Sequence, residues 1–216
     1  EDVQRAGEAL GAGAPGAQAL GVTCDVADDD AQRRMLEATL ARFGRLDLVV
    51  CNAGITGTPG GIESLDLDDY DRVMRINLRS MVVLTRLALP HLASGGGGSV
   101  VLVSSIAGIR GNSAISSYAL SKAGVAQLAR NIAVEWGPRN IRCNAISPGL
   151  IATELSAPLR ANAQFMARRL QMTPLRRAGT VEEVAGAVVW LASAAGGFVS
   201  GQNIVIDGGT VITDGS

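Results

Sequence analysis

Ser99-Val100-Val101-Leu102-Val103-Ser104-Ser105 decides the fold class. Four glycines, residues 95–98, precede this stretch, and Ile106-Ala-Gly-Ile-Arg-Gly-Asn-Ser113 follows it. A short β-branched apolar run between turn-forming segments reads as a strand buried on both faces, because no polar residue alternates with the apolar ones. The glycines form a flexible turn, residues 106–113 are a loop by composition, and the alanine-rich run at about residues 116–135 reads as a helix. Upstream, the pattern predicts a helix at the start, a strand ending at Asp25, a helix over 28–43, a strand over 46–51 and one long helix over 68–92. Downstream it predicts a strand over 141–147, helical material over 155–172, a helix over 181–192 and a strand over 203–206. Such alternation implies an α/β fold: a parallel, doubly wound, Rossmann-like sheet in three layers, one domain over residues 1–216, binding ligands at the carboxyl ends of its strands. Asp25, Asn52, Ser105 and Pro148 all fall at such ends.

The chemistry is concentrated just beyond the central strand. Tyr118-Ala119-Leu120-Ser121-Lys122 opens the predicted helix thirteen residues after Ser105. Lys122 is the only lysine in the chain; every other basic side chain among the 19 is an arginine. An ammonium is a compact charge with rotatable donors, unlike the planar guanidinium fork. On a helix the i,i+4 spacing sets Tyr118 and Lys122 on one face. A free phenol has a pKa near ~10, and a cation a few ångströms away lowers it by about one to three units, which makes Tyr118 a usable general acid/base. The spacing alone also suits a lysine on a solvated helix face; the strand and loop before it point the pair toward a cleft.

Composition excludes several other classes. The 216 residues carry 19 basic and 20 acidic side chains, so there is no nucleic-acid footprint, and pairs such as Arg33-Arg34 and Arg168-Arg169 suit solvated helix faces. No apolar run approaches the roughly 20 residues needed to span a bilayer. Cys24, Cys51 and Cys143 fall in strand-like runs without a C-x-x-C, so buried reduced thiols and a cytoplasmic location are expected. His91 is the sole histidine, which leaves too few ligands for a metal. Asp66, Asp68, Asp69 and Asp71 cluster where a helix begins, and capping with the helix dipole explains them. A serine hydrolase would need G-x-S-x-G with a placed histidine, and neither is present.

Cys24-Asp25-Val26, Cys51-Asn52-Ala53-Gly54, Ile76-Asn77-Leu78, Ser104-Ser105 with Tyr118 and Lys122, Ser147-Pro148-Gly149-Leu150-Ile151 with Thr153, and Ile206-Asp207-Gly208-Gly209 occur in one order along the chain. In these stretches, and along its whole length, the sequence resembles the short-chain dehydrogenase/reductase family, including its 3-oxoacyl-[acyl-carrier-protein] reductase-like members. The resemblance implies that Tyr118 exchanges a proton with the substrate oxygen and that Lys122 lowers its pKa and holds the nicotinamide ribose. It further implies that Ser105 orients the substrate and Asn77 holds a water in a proton relay. Asp25 with Val26 would contact adenine, Asn52, Ala53 and Gly54 would run along the adenosine, and Pro148, Gly149, Ile151 and Thr153 would meet the nicotinamide end. The implied reaction is NAD(P)-dependent interconversion of a ketone and a secondary alcohol, in which the cofactor carries the hydride and the protein positions the carbonyl and supplies a proton.

One element of the family pattern is missing. Members open with a strand, a glycine-rich TGxxxGxG turn, a helix and a second strand, whereas this chain begins at Glu1-Asp2-Val3, which reads as the next helix. We expect the natural polypeptide to carry this upstream βαβ unit, roughly 30 or more residues. Gly11-Ala-Gly-Ala-Pro-Gly16 matches G-x-G-x-x-G but follows a helix and leads into an extended run, so it has no helix amino terminus to receive a phosphate. NAD and NADP therefore both remain open. Residues 152–178 correspond to a substrate lid whose Leu155, Leu159, Phe165, Met166, Leu170 and Met172 suit a hydrophobic or acyl ketone. Ser94 and the glycines before the central strand carry no basic charge for a carrier protein, so 3-oxoacyl-carrier-protein reduction stays open beside small alcohol, polyol or steroid dehydrogenation. Ala123, Ala126 and Ala129 would allow close helix packing in a homotetramer or homodimer. The alternative from another class is a cofactor-free binding or assembly subunit that keeps the fold.

Overall fold

Alternate residues of the central strand point into two different cores. In the computed structural model, which describes residues 2–13 and 16–214, the strand β2 (Gly98–Val103) pairs in parallel with β1 (Leu48–Cys51) on one side and β3 (Ile141–Pro148) on the other; β3 pairs with β4 (Asn203–Ile206). The sheet order is β1-β2-β3-β4, with Val101 opposite Val50 and Asn144. Val100 and Leu102 face a core shared with Cys143, Ala145 and two helices, α4 (Ser80–Ser94) and α5 (Ser116–Trp136). Val101, one residue away, packs with Ile146 and with Leu191 of α8 (Val181–Ala192) on the opposite face. A parallel strand covered by helices on both sides has no face to give to polar residues, which is why this sequence is apolar throughout.

Helix boundaries follow their caps. Asp28 accepts from the Asp30 amide at 2.9 Å to start α2 (Asp29–Phe43), and Gly44, at φ 75, ends it. Thr180 and Glu183 form a reciprocal capping box at α8. Asp66 caps α3 (Leu67–Met74) through the Asp68 and Asp69 amides, the role expected for that acidic cluster. Between α3 and α4 lies a π-helical turn, Arg75–Arg79, so the single long helix expected over 68–92 is two helices joined by a bulge. The predicted 155–172 stretch is likewise split into α6 (Ala157–Ala161) and α7 (Ala163–Gln171).

Three expectations change. Residues 18–25 form no strand; they follow α1 (Asp2–Gly13), and β1 has no ladder partner on its outer side among the described residues. The segment instead crosses α1 so closely that Gly21 has no room for a Cβ against the Val3 carbonyl. Cys24 accordingly lies outside any strand and is half-buried, whereas Cys51 and Cys143 are buried; all three are free. Of the small residues of α5, Ala126 and Ala129 lie in the chain's own core and only Ala123 is exposed. Ala14 and Pro15, within the Gly11–Gly16 repeat, lie outside the described residues.

The end of β2 is strapped to α5. Ser104 Oγ donates to the Lys122 carbonyl at 2.6 Å. A Cβ on Gly108 would sit 2.5 Å from the Ala123 nitrogen and 2.6 Å from the Lys122 carbonyl carbon, so backbone meets backbone there. Leu102→Ala, which empties a fully buried site, is expected to destabilise the protein by about 2–5 kcal/mol. Gly108→Ala is expected to cost about 1–3 kcal/mol by overpacking. Urea unfolding checks both, as lower midpoints at unchanged slope.

Candidate active site

Ser105, Tyr118, Lys122 and Asn77 converge where β2 ends and α5 begins. Ser105 leaves β2 in an extended conformation, and its Oγ accepts from the Ala107 amide at 3.1 Å, capping the short turn Ile106–Gly108. Its hydroxyl is near enough to the Tyr118 phenol, in the first turn of α5, to favour the ionised form of that phenol. One turn on, Lys122 is 3% exposed; its Nζ donates to the Val103 carbonyl at 2.8 Å and lies 5.6 Å from the Tyr118 ring centroid. The shared helix face read from the sequence is therefore the observed one.

The electrostatics of the pair differ from the expectation. Burial raises the Tyr118 phenol above its ordinary value, and the group drawing it back down is Ser105. Burial also pushes the Lys122 ammonium down to about 8. The lysine is turned onto a backbone carbonyl and lies over the tyrosine ring, with no hydrogen bond to the phenol oxygen among the described residues.

Asn77 is fully buried within the π-turn. Its Oδ1 accepts from the Ile55 amide at 2.8 Å; its Nδ2 donates to the Ile55 carbonyl at 2.8 Å and to Ser121 Oγ at 3.1 Å. Ser121 in turn donates to the Tyr118 carbonyl at 2.8 Å. Ser121 thus links Asn77 to the tyrosine's helix, a role not read from the sequence; a small polar residue inside an alanine-rich helix was the available signal.

The turn after β1, Asn52-Ala53-Gly54, closes over this cluster. A Cβ on Gly54 would lie 3.2 Å from Asn77 Oδ1 and 3.3 Å from Lys122 Nζ, so only glycine leaves that approach open. Asp25 and Val26 lie apart from the cluster, on the turn before α2. There Asp25 accepts from the Ala27 amide at 2.9 Å, the Val26 carbonyl accepts from Gln32, and Arg75 of the π-turn donates to Ala27 O at 3.1 Å. Asp25 and Arg75 also bound an open cleft of about 580 Å³. Pro148 and Gly149 end β3, Ile151 bridges to Gly179, and the Thr153 amide donates to Ser156 Oγ at 3.1 Å. Ile151 and Asp207 line a small cavity of about 120 Å³ beside them.

These residues fit the two ends of a dinucleotide. An uncrowded glycine turn beside a buried ammonium with donors to spare suits a ribose, and a wide cleft beside Asp25 suits the adenosine end. Among the described residues no cluster of His, Cys, Asp or Glu is placed to hold a metal, and no helix is long and apolar enough to cross a membrane.

Comparison with known proteins shows the family. The chain matches the family model described as Enoyl-(Acyl carrier protein) reductase over residues 1–211. It is 40% identical over 194 residues to the cis-4-hydroxycyclohexanecarboxylate dehydrogenase of Sinomonas cyclohexanicum, covering 90% of this chain and 77% of that one. The structure of a short-chain type dehydrogenase/reductase from Mycobacterium ulcerans matches with TM-score 0.93 and 34% identity over 97% of this chain and 76% of that one. A gluconate 5-dehydrogenase from Burkholderia cenocepacia, solved in complex with NADP and tartrate, matches with TM-score 0.83 and 32% identity over 88% and 74%. With one family model spanning nearly the whole chain and relatives above 30% identity covered by about three quarters, this protein belongs to the short-chain dehydrogenase/reductase family of nicotinamide-dependent oxidoreductases.

Proposed function

We propose that Tyr118 is the general acid/base in an NAD(P)-dependent interconversion of a ketone and a secondary alcohol. The observation that carries this reading is the Tyr118 phenol beside the Ser105 hydroxyl, with a buried ammonium 5.6 Å from its ring. A bound nicotinamide cofactor supplies or accepts the hydride. In the reducing direction Tyr118 Oη gives its proton to the carbonyl oxygen. Ser105 Oγ donates to the same oxygen, orienting it and stabilising the charge that develops there. Lys122 Nζ keeps one donor on Val103 and has two left, for the nicotinamide ribose and for the phenolate. A positive charge over the ring, 5.6 Å from its centroid, favours the phenolate over the phenol. Asn77 holds a water that returns a proton to Tyr118 by way of Lys122.

Around this centre, Asp25 and Val26 take the adenine, Asn52, Ala53 and Gly54 the adenosine side, and Pro148, Gly149, Ile151 and Thr153 the nicotinamide carboxamide end. Residues 152–178, with α6 and α7, cover the substrate. Three free thiols suit a cytoplasmic enzyme. A homotetramer or homodimer is supported by apolar side chains left on the outer faces of α5 and α8, among them Val134 at 82% and Val189 at 68% exposure.

Three measurements test the reading. Tyr118→Phe is expected to lower kcat by about 10²–10⁴-fold while NADH or NADPH still binds saturably by nicotinamide fluorescence. Retained turnover would contradict the assignment, and no binding of either cofactor by the parent protein would favour the cofactor-free subunit. In a pH profile, alcohol oxidation rises with pH, because it needs the phenolate, and ketone reduction falls. Lys122→Met removes the buried amine beside the phenol, and the oxidation limb is expected to move to higher pH; an unmoved limb would remove Lys122 from this role. Gel filtration is expected to give a dimer or tetramer, and a monomer would exclude both.

A further inference from the structure

The turn that leads from Asp25 into α2 is held by two arginines of the π-turn. Arg75 Nε donates to the Ala27 carbonyl at 3.1 Å, across 48 residues of sequence. Arg79, one turn on, meets Asp29 with both terminal nitrogens, at 2.5 and 2.7 Å. The cleft of about 580 Å³ opens on this turn, lined by Asp25, Ala27, Asp28, Asp29, Asp30 and Arg75. Three of its four aspartates are answered by arginines: Asp28 by Arg34 at 3.6 Å, Asp29 by Arg79, and Asp30 by Arg33 at 3.8 Å. Asp25 and Arg75 differ. Among the described residues neither is in an ion pair, with these groups or with each other, although they are opposite in charge and border one cleft.

Both side chains are tethered to the same residue. Asp25 Oδ1 accepts from the Ala27 amide at 2.9 Å, while Arg75 Nε donates to the Ala27 carbonyl. The backbone beneath them is pinned as well: Gln32 Nε2 donates to the Val26 carbonyl at 2.6 Å and the Asp28 amide to the Asp25 carbonyl at 3.0 Å. What is left over for a ligand is complementary. Asp25 is exposed and keeps its second oxygen, an acceptor; Arg75 is exposed and keeps the four N–H groups of its terminal nitrogens. An acceptor and a donor that border one cleft without closing on each other match a flat ligand edge carrying a donor next to an acceptor. Adenine presents that edge, since its amino N6 donates and its ring N7 accepts. A 6-oxopurine has an oxygen in place of N6 and so offers two acceptors there.

Resting on the placement of the cofactor's adenine end at Asp25, we propose that Arg75 is a cofactor-binding residue, and that Arg75 and Asp25 together read the base, taking adenine and refusing a 6-oxopurine. The free Asp25 oxygen accepts from N6, and a terminal nitrogen of Arg75 donates to the ring nitrogen beside it. A 6-oxopurine turns its oxygen toward the Asp25 carboxylate, so acceptor meets acceptor and that bond is lost. Arg75 belongs to the same five-residue turn as Asn77, whose amide holds the Ile55 backbone at 2.8 Å. One short element therefore positions the base-reading guanidinium and the turn that closes over Lys122.

The test is the binding of NADH and NADPH to the full chain, each against its hypoxanthine analogue, followed by nicotinamide fluorescence. The adenine dinucleotides are expected to bind about fivefold to a hundredfold more tightly than the analogues. Arg75→Met should weaken the adenine form and bring that ratio toward one. Asp25→Asn, on a different element, gives an independent reading if the first variant does not fold: its amide can donate to the purine oxygen, so the analogue should gain on the adenine form. A turn merely loosened at Ala27 would weaken both dinucleotides alike and leave their ratio unchanged. That result in both variants, or equal binding of the two forms by the parent protein, would overturn the proposal. If no dinucleotide binds, the oxidoreductase reading fails by itself, and calorimetry with AMP and IMP decides the base site. AMP preferred by the parent protein, with the preference lost in Arg75→Met, supports the site; AMP and IMP bound alike, or neither bound, rejects it.

Discussion

A buried ammonium with no carboxylate partner among the described residues is the constraint on which the site depends. Lys122 is withdrawn from water and, among the described residues, answered by the Val103 carbonyl at 2.8 Å and the face of Tyr118. A carboxylate beside it would ease the cost of burial, but it would also cancel the field that a phenolate needs. A carbonyl dipole does neither in full, so the charge stays usable and the fold carries the penalty. That penalty is met by the β2–α5 unit, where backbone is packed directly on backbone. Ser104 binds the Lys122 carbonyl, and Gly108 brings the following turn onto the same helix backbone. The strand carrying Ser105 and the helix carrying Tyr118 and Lys122 therefore behave as one body, and a hydroxyl and a phenol thirteen residues apart stay in register.

The same body needs two cores. Val100 and Leu102 anchor β2 against α4 and α5, while Val101 anchors it against α8. A strand held from one side only could rock about its axis and carry Ser105 away from Tyr118; burial on both faces removes that freedom. The apolar run that identifies the strand in the sequence is thus also what fixes the geometry of the hydroxyl at its end.

What was legible in the sequence follows from this. Val100 to Val103 spelled a doubly covered strand, and Tyr118 and Lys122 spelled a shared helix face, because both patterns depend only on local periodicity. The acidic cluster at Asp66 was legible for the same reason, since a cap is a short-range interaction. The π-turn at Arg75–Arg79 was not, because inserting one residue into a helical ladder is decided by what Asn77 must reach: the Ile55 backbone and Ser121, 22 and 44 residues away. The strand expected at Asp25 had the right composition, yet a strand exists only with a ladder partner, which composition cannot supply. Ala126 and Ala129 looked like a surface for a second subunit because a stripe of small residues carries no sign of which side it faces. Arg169 was read with Arg168 as a solvated pair, although adjacent positions on a helix point about 100° apart and only one of them turns outward.

The elements around the site divide into rigid and adjustable parts. Proton transfer is assigned to groups on β2, α5 and the π-turn, all fixed by backbone contacts that tolerate little change. The connecting loop at Arg110 and the nine-residue helix α7 are held instead by side-chain bonds of Asn112 and Thr173. Elements secured in that way can change their side chains without disturbing the sheet, so substrate choice can vary around an unchanged proton donor.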